Sequence, residues 1–162
     1  MRDSAVKSVR ITAWICVALC ILMICYGVYS PFRYPFDEFR SDPWRVYHYI
    51  ISPLFDILMS ACLIVFCVRI LRKINDGVIF VRNNHRWIIV SVISYFVGNY
   101  LDYLIASKVS MGTIFYQGFL TPFNYLLTPH GIVPTTFACI MLIFAFLYKL
   151  GEKAAEEQRL TI

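Results

Sequence analysis

Two carboxylates, Asp56 and Asp102, interrupt the apolar stretches of this 162-residue chain, and their chemistry most needs an explanation. In hydrocarbon an acid is costly unless it is protonated, hydrogen-bonded, or turned toward a hydrated path. Such a pair can clamp packed helices together, relay protons or cations, or line a polar ligand pocket. Asn99 precedes Asp102 by three residues, which puts both on one helix face, with Tyr95 and Tyr103 close by. In the clamp reading the carboxyls bond Ser60, Asn99, Ser94 or tyrosine hydroxyls. A retained charge would look to Arg45 or Lys108 at the outer edge. With a rise of 1.5 Å per residue the two acids differ in depth by about 5–10 Å, so spacing alone leaves their direct pairing open.

The other reactive side chains point to little chemistry. All six cysteines (Cys16, Cys20, Cys25, Cys62, Cys67 and Cys139) fall in apolar stretches and no C-x-x-C occurs, so they read as reduced packing thiols. Cys16 and Cys20 share a helix face, which leaves a soft-metal or redox role as the sharper alternative. His48 and His130 fall on the outer side and His85 on the inner, with no carboxylate or cysteine at ligand spacing. No metal site is therefore expected. G-x-S-x-G, H-E-x-x-H, P-loop and Rossmann fingerprints are all missing. The expectation is a protein that is not an enzyme and carries no cofactor.

The elements that position these residues follow from hydropathy. Hydrophobic residues make up 59% of the chain and charged ones 15%, against roughly 45–50% and about 25% in soluble domains. Apolar stretches at about 11–28, 46–68, 87–105 and 132–148 are each long enough, or nearly so, for a helix to cross a bilayer. The chain is thus predicted to be a single all-α integral membrane domain over 1–162: a four-helix transmembrane bundle. Basic residues set the orientation. Arg2, Lys7 and Arg10 precede the first span, Arg69, Arg72, Lys73, Arg82 and Arg86 lie between the second and third, and Lys149, Lys153 and Arg159 follow the fourth. The positive-inside rule places these segments, and both termini, in the cytoplasm. The net charge of +5 reflects topology, and direct nucleic-acid binding is not expected. The first span lacks a small-x-small cleavage pattern after it, and reads as a retained helix.

Prolines and loops refine this outline. Ser52-Pro53 should kink the second span, and Pro134 should open the fourth, in a position where its missing N–H costs nothing. The outer loop 29–45, rich in proline and aromatics, should lie along the membrane surface. The outer loop 106–131 is too apolar for a solvated connection, and is expected to form a partly membrane-embedded cap, interfacial or re-entrant. The cytoplasmic hairpin 69–86 turns at Asn75-Asp76-Gly77, and its apolar run Val78-Ile79-Phe80-Val81 should dip into the headgroups. The tail 149–162 reads as a polar, helix-favouring extension.

Two of these segments carry a resemblance. The hairpin, with Phe80 and Asn84 in an F-x-x-x-N spacing, and the ending Glu156-Glu157-Gln-Arg-Leu160-Thr161-Ile162 resemble bacterial four-span membrane proteins of the YoaS-like, domain-of-unknown-function type. That family is often encoded beside a small helix-turn-helix transcriptional regulator of the Cro type. The resemblance implies a bacterial cytoplasmic-membrane protein that senses a signal and acts on a regulator. Phe80, Asn84, Glu157, Leu160, Thr161 and Ile162 are then the candidate partner contacts, and a homo-oligomer is compatible with it. The leading expectation is a non-enzymatic regulatory or sensory protein. The alternatives are a small transporter or channel component using Asp56 and Asp102, and an immunity protein against a membrane-active peptide.

Overall fold

The computed structural model of the chain describes residues 2–29, 32, 50–76, 78–106 and 129–160. The outer loops, the expected cap and the terminal Thr161 and Ile162 fall largely or wholly outside them. All regular structure among the described residues is helical: α1 (Arg2–Tyr29), α2 (Ser52–Lys73) with a 3-10 turn at Ile74–Asp76, α3 (His85–Ala106) and α4 (Pro129–Leu160).

Three segments, Ser4–Tyr29, Ser52–Asp76 and Gly131–Gln158, are long and apolar enough to cross a membrane, with mean hydropathies of 2.4, 2.4 and 2.1. Their outer faces match that solvent. Trp14, Ile15, Leu19 and Leu22 on α1, and Ile140, Ile143, Phe146 and Leu147 on α4, are all exposed. In water such faces would be a large association hazard, whereas in lipid they are the favourable surface. The helix α4 has 32 residues, about 48 Å at 1.5 Å each, which is longer than a hydrocarbon core of about 30 Å.

Each helix packs on its neighbour in the chain, α1 on α2, α2 on α3 and α3 on α4. The buried residues Ala13 and Val17 of α1, Phe66 and Ile70 of α2, Ile88 and Val92 of α3, and Ala138, Ala145 and Tyr148 of α4 form one cluster. Small residues set the spacing, as expected where lipid offers no hydrophobic drive between helices. A methyl group added at Gly98 of α3 would lie 2.9 Å from Phe55 Cβ, so α3 approaches α2 backbone-first there.

Pro53 stands in the first turn of α2, directly after residues 50 and 51, which form a π-helical turn. One proline expectation is corrected. Pro134 lies inside α4, because that helix starts at Pro129, earlier than hydropathy suggested. Its ring removes the bond that N–H of residue 134 would have made to the carbonyl of residue 130.

Candidate functional site

The densest polar cluster among the described residues lies at the basic end of the helices, where the hairpin between α2 and α3 meets the C-terminal part of α4. It is built from the register of α4. Its buried positions Ala138, Ala145, Tyr148 and Glu152 recur at seven, three and four residues, the spacing of one helix face. The face is apolar up to Tyr148 and ends on an acid. Glu152 is only 8% exposed, and a carboxylate so placed needs partners.

The hairpin supplies them. Glu152 Oε2 accepts from the backbone N–H of Asn83 at 3.1 Å, and Oε1 from those of Asn84 at 3.0 Å and His85 at 3.3 Å. The side chain of His85, itself buried, completes the cluster, its Nδ1 lying 3.1 and 3.2 Å from the two carboxylate oxygens. These amides stand at the N-terminus of α3, where a helix leaves N–H groups without partners and its dipole favours negative charge. The cap of α3 is therefore a carboxylate from a helix 67 residues along the chain. The local candidate, Asn84, turns the other way. Its side chain is fully buried, and its Nδ2 donates to the Phe66 carbonyl of α2 at 3.1 Å. Asn83 adopts φ of 59°, a left-handed conformation that asparagine tolerates better than most residues, and this bends the chain so that successive N–H groups converge on one acid.

Tyr148 and Gly151 seat the rest of the hairpin. The Tyr148 hydroxyl donates to the Ile79 carbonyl at 2.8 Å and accepts from the Val81 N–H at 2.9 Å. Its ring stands edge-on to Phe66, 5.3 Å between centroids, and against Phe80 at 5.2 Å. Phe80 lies over Gly151, where a methyl group would come within 2.6 Å of the ring's Cζ. Residues 79–81 thus dock on α4 through their backbone. The exposed pairs Arg82–Glu156 at 3.6 Å and Lys73–Asp76 at 3.7 Å, the Arg69 bond to the Arg82 carbonyl at 3.0 Å, and a short hydrogen bond from Arg10 to Asn75 border the cluster. Such exposed pairs add little stability, but they keep basic groups along this end.

Of the expected partner contacts, Phe80 and Asn84 are brought together here, Phe80 half on the surface and Asn84 wholly inside. Its side chain is thus engaged by this chain rather than presented outward. Glu157 is exposed on α4. Leu160 ends that helix, and Thr161 and Ile162 lie outside the described residues.

The second polar zone is between α2 and α3, nearer their other ends. The Asp56 carboxyl is within electrostatic reach of Asp102 and of the Tyr95 hydroxyl, so the two acids do share one region. Two of the expected clamp donors, Asn99 and Ser94, bond their own helix. Asn99 Nδ2 donates to the Tyr95 carbonyl at 2.8 Å and Ser94 to the Val90 carbonyl at 2.9 Å, both on their own helix. Ser91 crosses to the Met59 carbonyl at 3.3 Å, and the buried Ser60 Oγ has no hydrogen-bond partner. No group of three or more His, Cys, Asp or Glu side chains among the described residues is arranged to hold a metal ion.

Sequence reasoning passed over Glu152, Tyr148 and Gly151. The signal was present in the helix register: continued past Tyr148 with the same three-and-four spacing, the buried face of α4 lands on Glu152. Comparison of the chain with protein families, with curated proteins and with solved structures gives no match.

Proposed function

We propose that this chain is a non-enzymatic regulatory or sensory protein of a bacterial cytoplasmic membrane, which presents the hairpin and the α4 extension to a cytoplasmic protein partner as one surface. The observation that carries this reading is the clasp formed by Glu152 and Tyr148, which joins two segments far apart in sequence at the basic end. In this reading all four helices cross the bilayer. With 22 residues, α3 is about 33 Å long, and it packs between two helices apolar enough to span. The positive-inside rule then puts the clasp and both termini in the cytoplasm. A small helix-turn-helix regulator is the partner that the sequence resemblance suggests. A photo-crosslinking amino acid at Lys153 or Glu157, both exposed on the extension, should capture such a protein in cells, and Glu152→Ala should abolish the adduct. Capture that is unaffected by Glu152→Ala, or repeated capture of no such protein, would overturn the reading.

A second reading, a small transporter or channel component, draws on the electrostatic proximity of Asp56 and Asp102. It ranks lower because it rests on that proximity alone, whereas the clasp rests on hydrogen bonds between named atoms. Proton or cation flux in proteoliposomes that falls in Asp56→Asn and Asp102→Asn would favour it, and flux that is absent or unchanged removes it.

A further inference from the structure

The interface between α1 and α2 brings together thiols that lie far apart in sequence. Cys16 on α1 packs against the buried cluster that contains Cys67 of α2, and the Cys16 thiol interacts electrostatically with those of Cys67 and Cys20. The antiparallel register of the two helices brings Cys16 and Cys67 to the same level. At one end Arg10 bonds Asn75, and at the other a methyl group at Gly27 would lie 3.0 Å from Ile57 Cγ1 and 3.4 Å from the Pro53 carbonyl. Residue numbers across these contacts sum to 80–85, and those of Cys16 and Cys67, at 83, fall in that range. The face of α1 that meets α2 carries buried Ala13, Val17, Cys20 and Gly27, small side chains that let backbones approach. A disulfide needs Cα atoms roughly 4.4–6.8 Å apart, which only such a close helix pair provides.

The surroundings favour redox chemistry over metal binding, since no metal-holding group is present among the described residues. Cys67 is buried, and Cys16 is only partly so, on a helix whose outer face is exposed and apolar. Cys16 follows Arg10 by six residues, about 9 Å along the axis, which puts it within the lipid phase, beyond the reach of water-borne glutathione. We propose that Cys16 and Cys67 form a redox pair, oxidised to an inter-helix disulfide by a quinone dissolved in the bilayer. Each thiol gives up its proton, the two sulfurs bond, and two electrons and two protons pass to the quinone to form the quinol. The product ties α1 covalently to α2, helices that otherwise meet through packing and, at the basic end, the Arg10–Asn75 hydrogen bond.

The test uses the full chain in lipid nanodiscs, treated with a short-chain benzoquinone that has no free ring carbon for thiol addition. It is then denatured and labelled with a maleimide mass tag. All six thiols should label before treatment. Afterwards two should be lost from the wild type and from the Cys25→Ser and Cys139→Ser variants, and none from Cys16→Ala or Cys67→Ala. Peptide mapping of the oxidised wild type, which needs no variant to fold, should recover a peptide with Cys16 linked to one with Cys67, lighter by two hydrogens than the separate pair. Six labelled thiols after treatment, or a disulfide joining any other cysteines, would overturn the proposal.

Discussion

Replacing Gly151 by alanine tests the seat of Phe80 through a change of sign. In an isolated helix the substitution stabilises by about 1 kcal/mol, because glycine carries the larger entropic cost. Here the new methyl group would overlap Phe80 Cε1, and would lie 2.6 Å from Cζ and 2.7 Å from Cδ1. Forcing a ring out of such a contact costs about 1–3 kcal/mol, and losing its pairing with Tyr148 adds about 0.5–1.5 kcal/mol. The overlap wins, so Gly151→Ala should destabilise the wild type, by about 0.5–3.5 kcal/mol. In a Phe80→Ala background the overlap is gone and the same substitution should stabilise by about 1 kcal/mol, a coupling at or above the upper part of the range for touching residues. Thermal unfolding in nanodiscs, followed by tryptophan fluorescence with Trp87 near the clasp, reads both. At roughly 2–4 °C per kcal/mol for a chain of this size, Tm should fall by a few degrees in one background and rise by a few in the other. Equal shifts of one sign in both backgrounds would show that Phe80 does not sit on Gly151.

Substitutions at three further positions test the clasp. Glu152→Ala removes the acceptor of three α3 amides and the partner of His85; it should cost about 2–4 kcal/mol and speed amide hydrogen exchange at Asn83, Asn84 and His85. Glu152→Gln keeps one acceptor oxygen, loses the charge, and should fall between the two. Tyr148→Phe keeps the ring contacts but orphans the Ile79 carbonyl and the Val81 N–H. A loss of about 1–3 kcal/mol is expected, with faster exchange confined to the hairpin; unchanged exchange at Val81 would refute the hydroxyl bridge. Asn84→Asp removes the donor to the Phe66 carbonyl and buries an acid beside Glu152, so it should lower Tm more than Asn84→Ala, and the reverse order would contradict the assigned geometry.

The helical architecture was legible because long apolar runs admit few other folds, and because exposed leucine and isoleucine are consistent with lipid as solvent. Helix ends were less so. The apolar run stops at Tyr148, but α4 continues to Leu160, carried by helix-favouring residues that the apolar signal ignores. Pro134 misled for a related reason: proline is commonest in a first turn, yet here the turn before it is helical too. Asp56 and Asp102 drew attention as acids in apolar sequence, whereas Glu152 was hidden by a polar neighbourhood, Lys149, Lys153 and Glu156. Only the α4 register separates it from those exposed neighbours. Its partners are backbone amides, which no residue type announces. Asn84 looked like a surface motif residue and proved to be interior, because its amide bonds a carbonyl 18 residues earlier.

The helix α2 is the wall common to these features. Successive residues on a helix point about 100° apart, so neighbours in sequence face different elements, and Phe66 and Cys67 illustrate it. Cys67 meets α1 through Cys16, while Phe66 offers its carbonyl to Asn84 and its ring to Tyr148. Any shift of α2 against α1 therefore moves a carbonyl that holds the start of α3, within a single turn of rigid helix. The clasp in turn fixes the hairpin to α4 as well as to α2, so the surface at the basic end depends on three elements agreeing. A surface assembled in this way can be weakened at any one of its joints.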